Sequence, residues 1–131
     1  MTLNYKKFNN IIGWVIFAIA TVVYVLTLEP TTSWWDCGEY ISTAYKLEVG
    51  HPPGAPFFQL LGRFFTLFAF GNTQYVAYMI NLMSALSSSF TILLLYWTIT
   101  RFARKLTSGE MTDNKAYAVF ASGIIGALAF T

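Results

Sequence analysis

Ile11 to Leu28 is a run of eighteen apolar or weakly polar residues without a charge. Hydrocarbon offers no partner for a backbone N–H or C=O, so a run of this length is driven into a helix long enough to cross a bilayer. Ala18-Ile19-Ala20 resembles a leader cleavage site, but it sits in mid-run and apolar sequence continues beyond it, which favours an uncleaved first span. Tyr75 to Trp97 is a second run, with Tyr75, Tyr78, Tyr96 and Trp97 at its ends, where aromatic rings suit the membrane interface. Inside it, Asn81, Ser84 and Ser88 give a small, polar face suited to packing against another helix. A third run starts at Ala116, carries the small pair Ser122-x-x-x-Gly126 and stops inside the span at Thr131. The expected fold is therefore all-α and integral to a membrane, with about three transmembrane helices over residues 11–28, 75–97 and 116–131. The truncated third span marks the chain as the N-terminal part of a longer protein.

The composition fits this fold class: 56% hydrophobic and only 11% charged residues leave too little polar surface for a soluble domain. A net charge of +2, with no basic stripe interleaved with aromatics, argues against nucleic acid as a partner. One cysteine permits no internal disulfide and no metal cluster, and Cys37 is expected to be a small packed side chain. There is no Walker loop, GxGxxG, HExxH or GxSxG pattern, so nucleotide-driven and zinc-hydrolase chemistry have no footing.

Residues 29–74 form the loop between the first two spans, and two short interfacial helices are expected in it, at about 34–47 and 56–70. As a helix, 56–70 would reach only about 22 Å at ~1.5 Å per residue, short of a hydrocarbon core of roughly 30 Å. Its polar stripe, Gln59, Arg63 and Thr66, is expected to turn towards the acids of the first helix. Lys6, Lys7, Arg101, Arg104, Lys105 and Lys115 fall on one side of such a topology, and only Lys46 and Arg63 on the other. The positive-inside rule then puts the N-terminus and the 101–115 loop in the cytoplasm and the 29–74 loop outside. The implied location is a multi-pass position in a membrane.

The chemistry is concentrated in residues 33–56. That stretch holds Asp36, Glu39 and Glu48 of the six acidic residues, the only histidine (His51), the only cysteine and three of the four prolines. Asp36 and Glu39, three apart, stack on one face of a helix. Desolvation and mutual repulsion raise a carboxyl pKa, whereas a helix N-terminus favours the ionised form, so such a pair can supply one base and one partner that orients or donates. The alternative is structural: Ser33-x-x-Asp36 fits a capping box that only satisfies an orphan N–H. Gly38 between the acids is costly in a helix and implies a close approach to the backbone there. His51 precedes a proline and is biased to extended backbone; Pro53-Gly54 suits the centre of a type II turn and Pro56 the first turn of the next helix. Pro52, Pro53 and Gly54 thus form a stiff elbow that holds one imidazole near the acids. His51 is either solvated or in contact with a ligand such as a phosphate, and Arg63 either holds a phosphate or snorkels to the headgroups.

Trp35-Asp36-Cys37-Gly38-Glu39-Tyr40, then Ala44, Leu47 and His51-Pro52-Pro53-Gly54-Ala55-Pro56, resemble the N-terminal signature of a bacterial family of multi-spanning proteins described as protein O-mannosyltransferase-like. That family is grouped with the GT-C glycosyltransferases, and the resemblance is densest from about Pro30 to Phe70. It implies a fragment of a larger GT-C-like bundle that takes a sugar from a polyprenyl-phosphate donor at the outer face. In GT-C enzymes an aspartate of the first outward loop is the catalytic base. That role falls on Asp36, with Glu39 as the second acid; for His51 and Arg63 the resemblance gives no role, and donor-phosphate contact rests on their chemistry. The later spans and a C-terminal soluble domain of the family are missing here, and the fragment alone is expected to be inactive.

The polyprenyl-phosphate sugar, the bilayer and the remaining helices of the full-length protein are the implied partners. No cofactor is assigned and a divalent metal stays open: two acids can hold one such ion, but three or more oxygen ligands are more usual. A transporter subunit is disfavoured because the two clear spans carry no charge. A non-enzymatic scaffold subunit, with Asp36 as a cap and the prolines as a docking elbow, is the other alternative.

Overall fold

The computed structural model describes residues 4–107 and 109–131, which form helices and turns with no strand among them. Five α-helices follow in order: α1 (Tyr5–Leu26), α2 (Cys37–Lys46), α3 (Pro56–Thr66), α4 (Val76–Leu106) and α5 (Asp113–Leu128), with short 3-10 turns at Leu67–Ala69 and Thr73–Tyr75. Two stretches, Tyr5–Leu26 and Thr73–Leu106, are long and apolar enough to cross a membrane. Only 17% of the most apolar window of the first is buried inside the chain, and Trp14, Val15, Ile19, Val22 and Val23 lie exposed around it. A helix apolar on nearly every side and so little covered is suited to lipid. The described residues form an all-α membrane fold.

The helix bounds differ from the expected ones at most ends: α1 already begins at Tyr5 and ends at Leu26, and α5 runs from Asp113 to Leu128. The first short helix begins at Cys37 rather than near 34, because Trp35 takes left-handed backbone (φ 63°) and no helix passes through it. The second ends at Thr66, where the chain tightens into a 3-10 turn, and Phe70 (φ 48°) closes it. Past Trp97, α4 continues to Leu106, so Arg101, Arg104 and Lys105 lie on helix rather than in a loop, as suits cations near a helix C-terminus. At 16 residues, α5 is about 24 Å long and falls short of a full crossing.

The chain divides into two compact units. One comprises the N-terminal segment up to Tyr24 and everything from Ser87 onwards. Its core is Ile16, Ala20, Ile92, Tyr96 and Ala127. Close packing of backbones is possible there because small residues meet large ones. A Cβ on Gly123 would lie 2.5 Å from Thr100 Cγ2 and 2.8 Å from the Tyr96 ring, and one on Gly126 would lie 2.6 Å from Ile99. Ser122, expected to form the small pair with Gly126, is exposed and donates its hydroxyl proton to the Val119 carbonyl; Gly123 is the residue in the interface.

The other unit is residues 25–86. Here α2 and α3 pack together over a core of Ile41, Ala44, Ala69, Val76, Ile80 and Met83. Gly62 of α3 lets the two helices approach, since a Cβ there would sit 3.0 Å from Ala44 Cβ. Arg63 fixes the pair from the other side: its Nη1 donates to the Tyr45 carbonyl at 2.7 Å, and its guanidinium lies 5.3 Å from the Tyr45 ring centre. Asn81, expected to meet a helix, instead donates Nδ2 to the carbonyls of Glu29 and Thr31 at 2.8 and 2.9 Å and so pins the start of the loop. Phe57, Leu60, Phe64, Leu67 and Phe70 leave the outer face of α3 and its following turn apolar and exposed.

Gly123→Val should overpack the α4–α5 contact and destabilise the fold by about 1–3 kcal/mol. Ser122→Val should leave stability nearly unchanged. Thermal unfolding of the two variants in detergent micelles checks the difference.

Candidate functional site

The N-terminus of α2 and the loop that returns to it bring Asp36, Glu39 and His51 together. Asp36 is the N-cap residue of α2 and Glu39 lies in its first turn. A Glu in that position often reaches back to satisfy the orphan N–H of the cap. Here it turns outward instead and is gripped twice by one residue. The backbone N–H of His51 donates to Glu39 Oε1 at 2.8 Å, and His51 Nδ1 lies 2.8 Å from Glu39 Oε2. The other ring nitrogen, Nε2, is 3.8 Å from Asp36 Oδ2. Asp36 makes no side-chain cap bond and remains the most exposed of the three, at 61% for its side chain against 46% for His51 and 41% for Glu39.

Local backbone chemistry explains why the loop can close this way. Leu47, in left-handed conformation (φ 56°, ψ 44°), ends α2, and Glu48 N donates to the Thr43 carbonyl at 3.0 Å. Gly50 then passes close beneath the carboxylate; a Cβ on it would lie 3.2 Å from Glu39 Oε1 and 3.6 Å from Gln59 Nε2. After His51 the chain turns one residue earlier than the expected Pro53-Gly54 turn. Gly54 N donates to the His51 carbonyl at 3.0 Å, so Pro52 and Pro53, joined by a cis bond, occupy the centre. Tyr40 flanks the imidazole edge-on at 6.0 Å and stands against Phe58 at 5.6 Å. Pro56 opens α3 where its missing N–H leaves no gap in the helix ladder.

Several sequence expectations change at this level. Ser33 does not cap α2; its hydroxyl lies 3.1 Å from Cys37 Sγ, and the cap position belongs to Asp36, three residues later. Cys37 is exposed rather than packed. Among the described residues nothing crowds Gly38, whose nearest neighbour would be Thr32 Cγ2 at 3.9 Å, so the close approach is at Gly50 instead. Arg63 is not brought to the acids; its guanidinium is engaged at the C-terminal end of α2, where a cation also complements the helix dipole. Gln59 of the same stripe does reach the neighbourhood of Gly50, with its Nε2 buried and unpartnered. Gly50 escaped the sequence reading, although a glycine immediately before the single histidine was the available signal, and Tyr40 entered it only as part of the family signature.

The electrostatics follow from these contacts. The N–H and ring of His51 hold the Glu39 carboxyl below its ordinary 4.5, and the helix N-terminus favours the same ionised form. In return the Glu39 carboxylate, by hydrogen bond and by charge, lifts the His51 imidazole above its ordinary 6.5, with Asp36 adding to the effect. Glu39 is therefore the more strongly held anion, the cationic form of His51 is favoured by its contact, and the Asp36 side chain is the most open to solvent. One donor atom from each of the three side chains lies within 4.8 Å of the others, a spacing one divalent ion can span. A ligating imidazole must be neutral, so protonation of His51 competes with metal binding.

The ion pair is present above the lowered Glu39 pKa and fades as pH rises through the raised His51 value. The single histidine should accordingly titrate above 6.5 by NMR, and Glu39→Gln should bring its midpoint back down towards that figure. Gly50→Val should displace the carboxylate and lower the midpoint in the same direction.

Comparison with known proteins places the chain. The family described as the protein O-mannosyl-transferase TMEM260 N-terminal domain matches residues 36–131, starting at the N-cap aspartate. The protein O-mannosyl-transferase TMEM260 of Mus musculus is 39% identical over 95 residues, covering 72% of this chain and 13% of the mouse protein. Its counterpart in Dictyostelium discoideum is 37% identical over 84 residues, covering 64% of this chain and 10% of that protein. The chain thus spans about a tenth of the length of these relatives, and neither of them is bacterial. No solved structure gives a significant match. With the family match covering the acid pair, the imidazole loop and the three helices beyond it, the chain belongs to the TMEM260 N-terminal domain family.

Proposed function

We propose that this chain is the N-terminal part of a membrane glycosyltransferase that moves a hexose, mannose by the name its relatives bear, from a polyprenyl-phosphate donor to an acceptor hydroxyl such as a protein Ser or Thr. The observation that carries the proposal is the Asp36–Glu39–His51 cluster, in which one carboxylate is kept free while the other is committed to holding a cation. In this reading Asp36 is the base. The acceptor O–H gives its proton to the Asp36 carboxylate as the oxygen bonds to the anomeric carbon. The bond from that carbon to the phosphate oxygen breaks, and the polyprenyl phosphate leaves with the electron pair. A single displacement of this kind inverts the anomeric configuration.

His51, oriented by Glu39 and favoured in its cationic form by that contact, is the group assigned to offset charge on the phosphate, and a fixed donor aimed at developing charge lowers the barrier. Glu39 positions His51 and does not touch substrate. Pro52, Pro53 and Gly54 set the turn that brings the imidazole back to α2. Arg63 has no part in the proposal, because its guanidinium is bound to the Tyr45 carbonyl. The apolar, exposed outer face of α3 suits a position at the membrane surface, level with a lipid-linked substrate. By the positive-inside rule the cluster would face away from the cytoplasm.

Asp36→Asn in the full-length protein should reduce release of polyprenyl phosphate from labelled lipid-linked mannose by roughly 100-fold or more, the usual range for loss of a general base. Membrane insertion should be unaffected. A correctly inserted Asn variant that releases the carrier at the unchanged rate overturns the assignment of Asp36.

A further inference from the structure

In the unit that contains the N-terminal part of α1, a cavity of about 590 Å³ opens beside four cations: Lys6, Arg101, Arg104 and Lys105. It has no part in the site of α2. None of its lining residues is acidic, so among the described residues the lining leaves this positive charge uncompensated. The cations are shaped by their neighbours rather than scattered. The Arg104 guanidinium carbon lies over the Tyr5 ring, 4.8 Å from its centre, a cation–π contact that positions the group beside the cavity. Two further lining residues carry buried polar atoms without a partner among the described residues: the Trp97 Nε1 donor and the Asn9 Oδ1 acceptor.

Position narrows the ligand further. Asn9 and Asn10 line the cavity, and the uncharged run of α1 starts at the next residue, Ile11. Ile11 and Trp14 on α1 and Phe102 on α4 are exposed apolar side chains beside it. A cationic cup at the edge of an apolar surface suits a molecule with a phosphate at one end and acyl chains at the other. The orphan Asn9 acceptor calls for a hydroxyl on the same headgroup.

We propose that this cavity binds the headgroup of an anionic glycerophospholipid, with the phosphate on Arg101, Arg104 and the lysines and a headgroup hydroxyl directed to Asn9. The acyl chains run along the exposed apolar faces of α1 and α4. This site is independent of the glycosyl-transfer proposal and stands or falls without it.

The test is a titration of the full-length protein in neutral detergent with phosphatidylglycerol, followed by native mass spectrometry, with phosphatidylcholine and inorganic phosphate as parallel probes. Phosphatidylglycerol should bind at least tenfold more tightly than phosphatidylcholine. Arg101→Gln should weaken phosphatidylglycerol binding by about tenfold or more, and Arg101→Lys should restore part of it. Lys7→Gln removes a cation from the same helix end but outside the cavity, and should cost no more than the ~fivefold expected of a general surface charge. Equal losses in the Arg101→Gln and Lys7→Gln variants would mean diffuse attraction and overturn the site. Competition by millimolar inorganic phosphate that fully displaces the lipid would overturn the lipid assignment.

Discussion

One carboxylate holds the site together. Glu39 accepts from both the backbone and the ring of His51, across a separation of twelve residues, and this double contact folds the 47–55 loop back over the start of α2. Without it the loop would have only the Gly54 turn and its proline stiffness to direct it, and neither says where an imidazole should lie. With it, the imidazole is set within 3.8 Å of Asp36. The same contact explains why Gly50 has no side chain: the space beneath Glu39 is already filled.

The rest of the 25–86 unit makes that contact rigid rather than adding chemistry. α2 is short, and a ten-residue helix is marginal by itself in water. It is held by close packing on α3 through Gly62 and Ala44, and by the Arg63 guanidinium at its last turn. The hydrogen bonds of Asn81 then fix the segment that enters α2. A residue that looked like a ligand group is thus a structural clamp, while the free carboxylate sits at the opposite end of the same helix.

In the other unit the controlling constraint is space. Lipid gives no hydrophobic drive to bring apolar helices together, so contact depends on how closely their surfaces fit. Gly13, Gly123 and Gly126 each sit where a Cβ would come within 2.6 Å of a side chain on α4. Such positions leave helices no freedom to slide. They can hold the aromatic ends of α1 and α4 in the arrangement that forms the cationic cavity.

Much of the architecture was legible because its causes are local. Eighteen uncharged residues from Ile11 demand a helix wherever they are, Pro56 marks a helix start, and the motif from Trp35 to Pro56 carried the family resemblance before any fold was known. Asp36 and Glu39 at a spacing of three, with one histidine downstream, were enough to nominate the site. What the order of residues could not settle was direction. Whether Arg63 faces the acids or the far end of α2, whether Ser122 or Gly123 enters the helix contact, and which nitrogen of His51 meets which carboxylate all depend on helix rotation and loop closure. Those are decided by side chains distant in sequence competing for the same few ångströms, and so they exist only once the chain has folded.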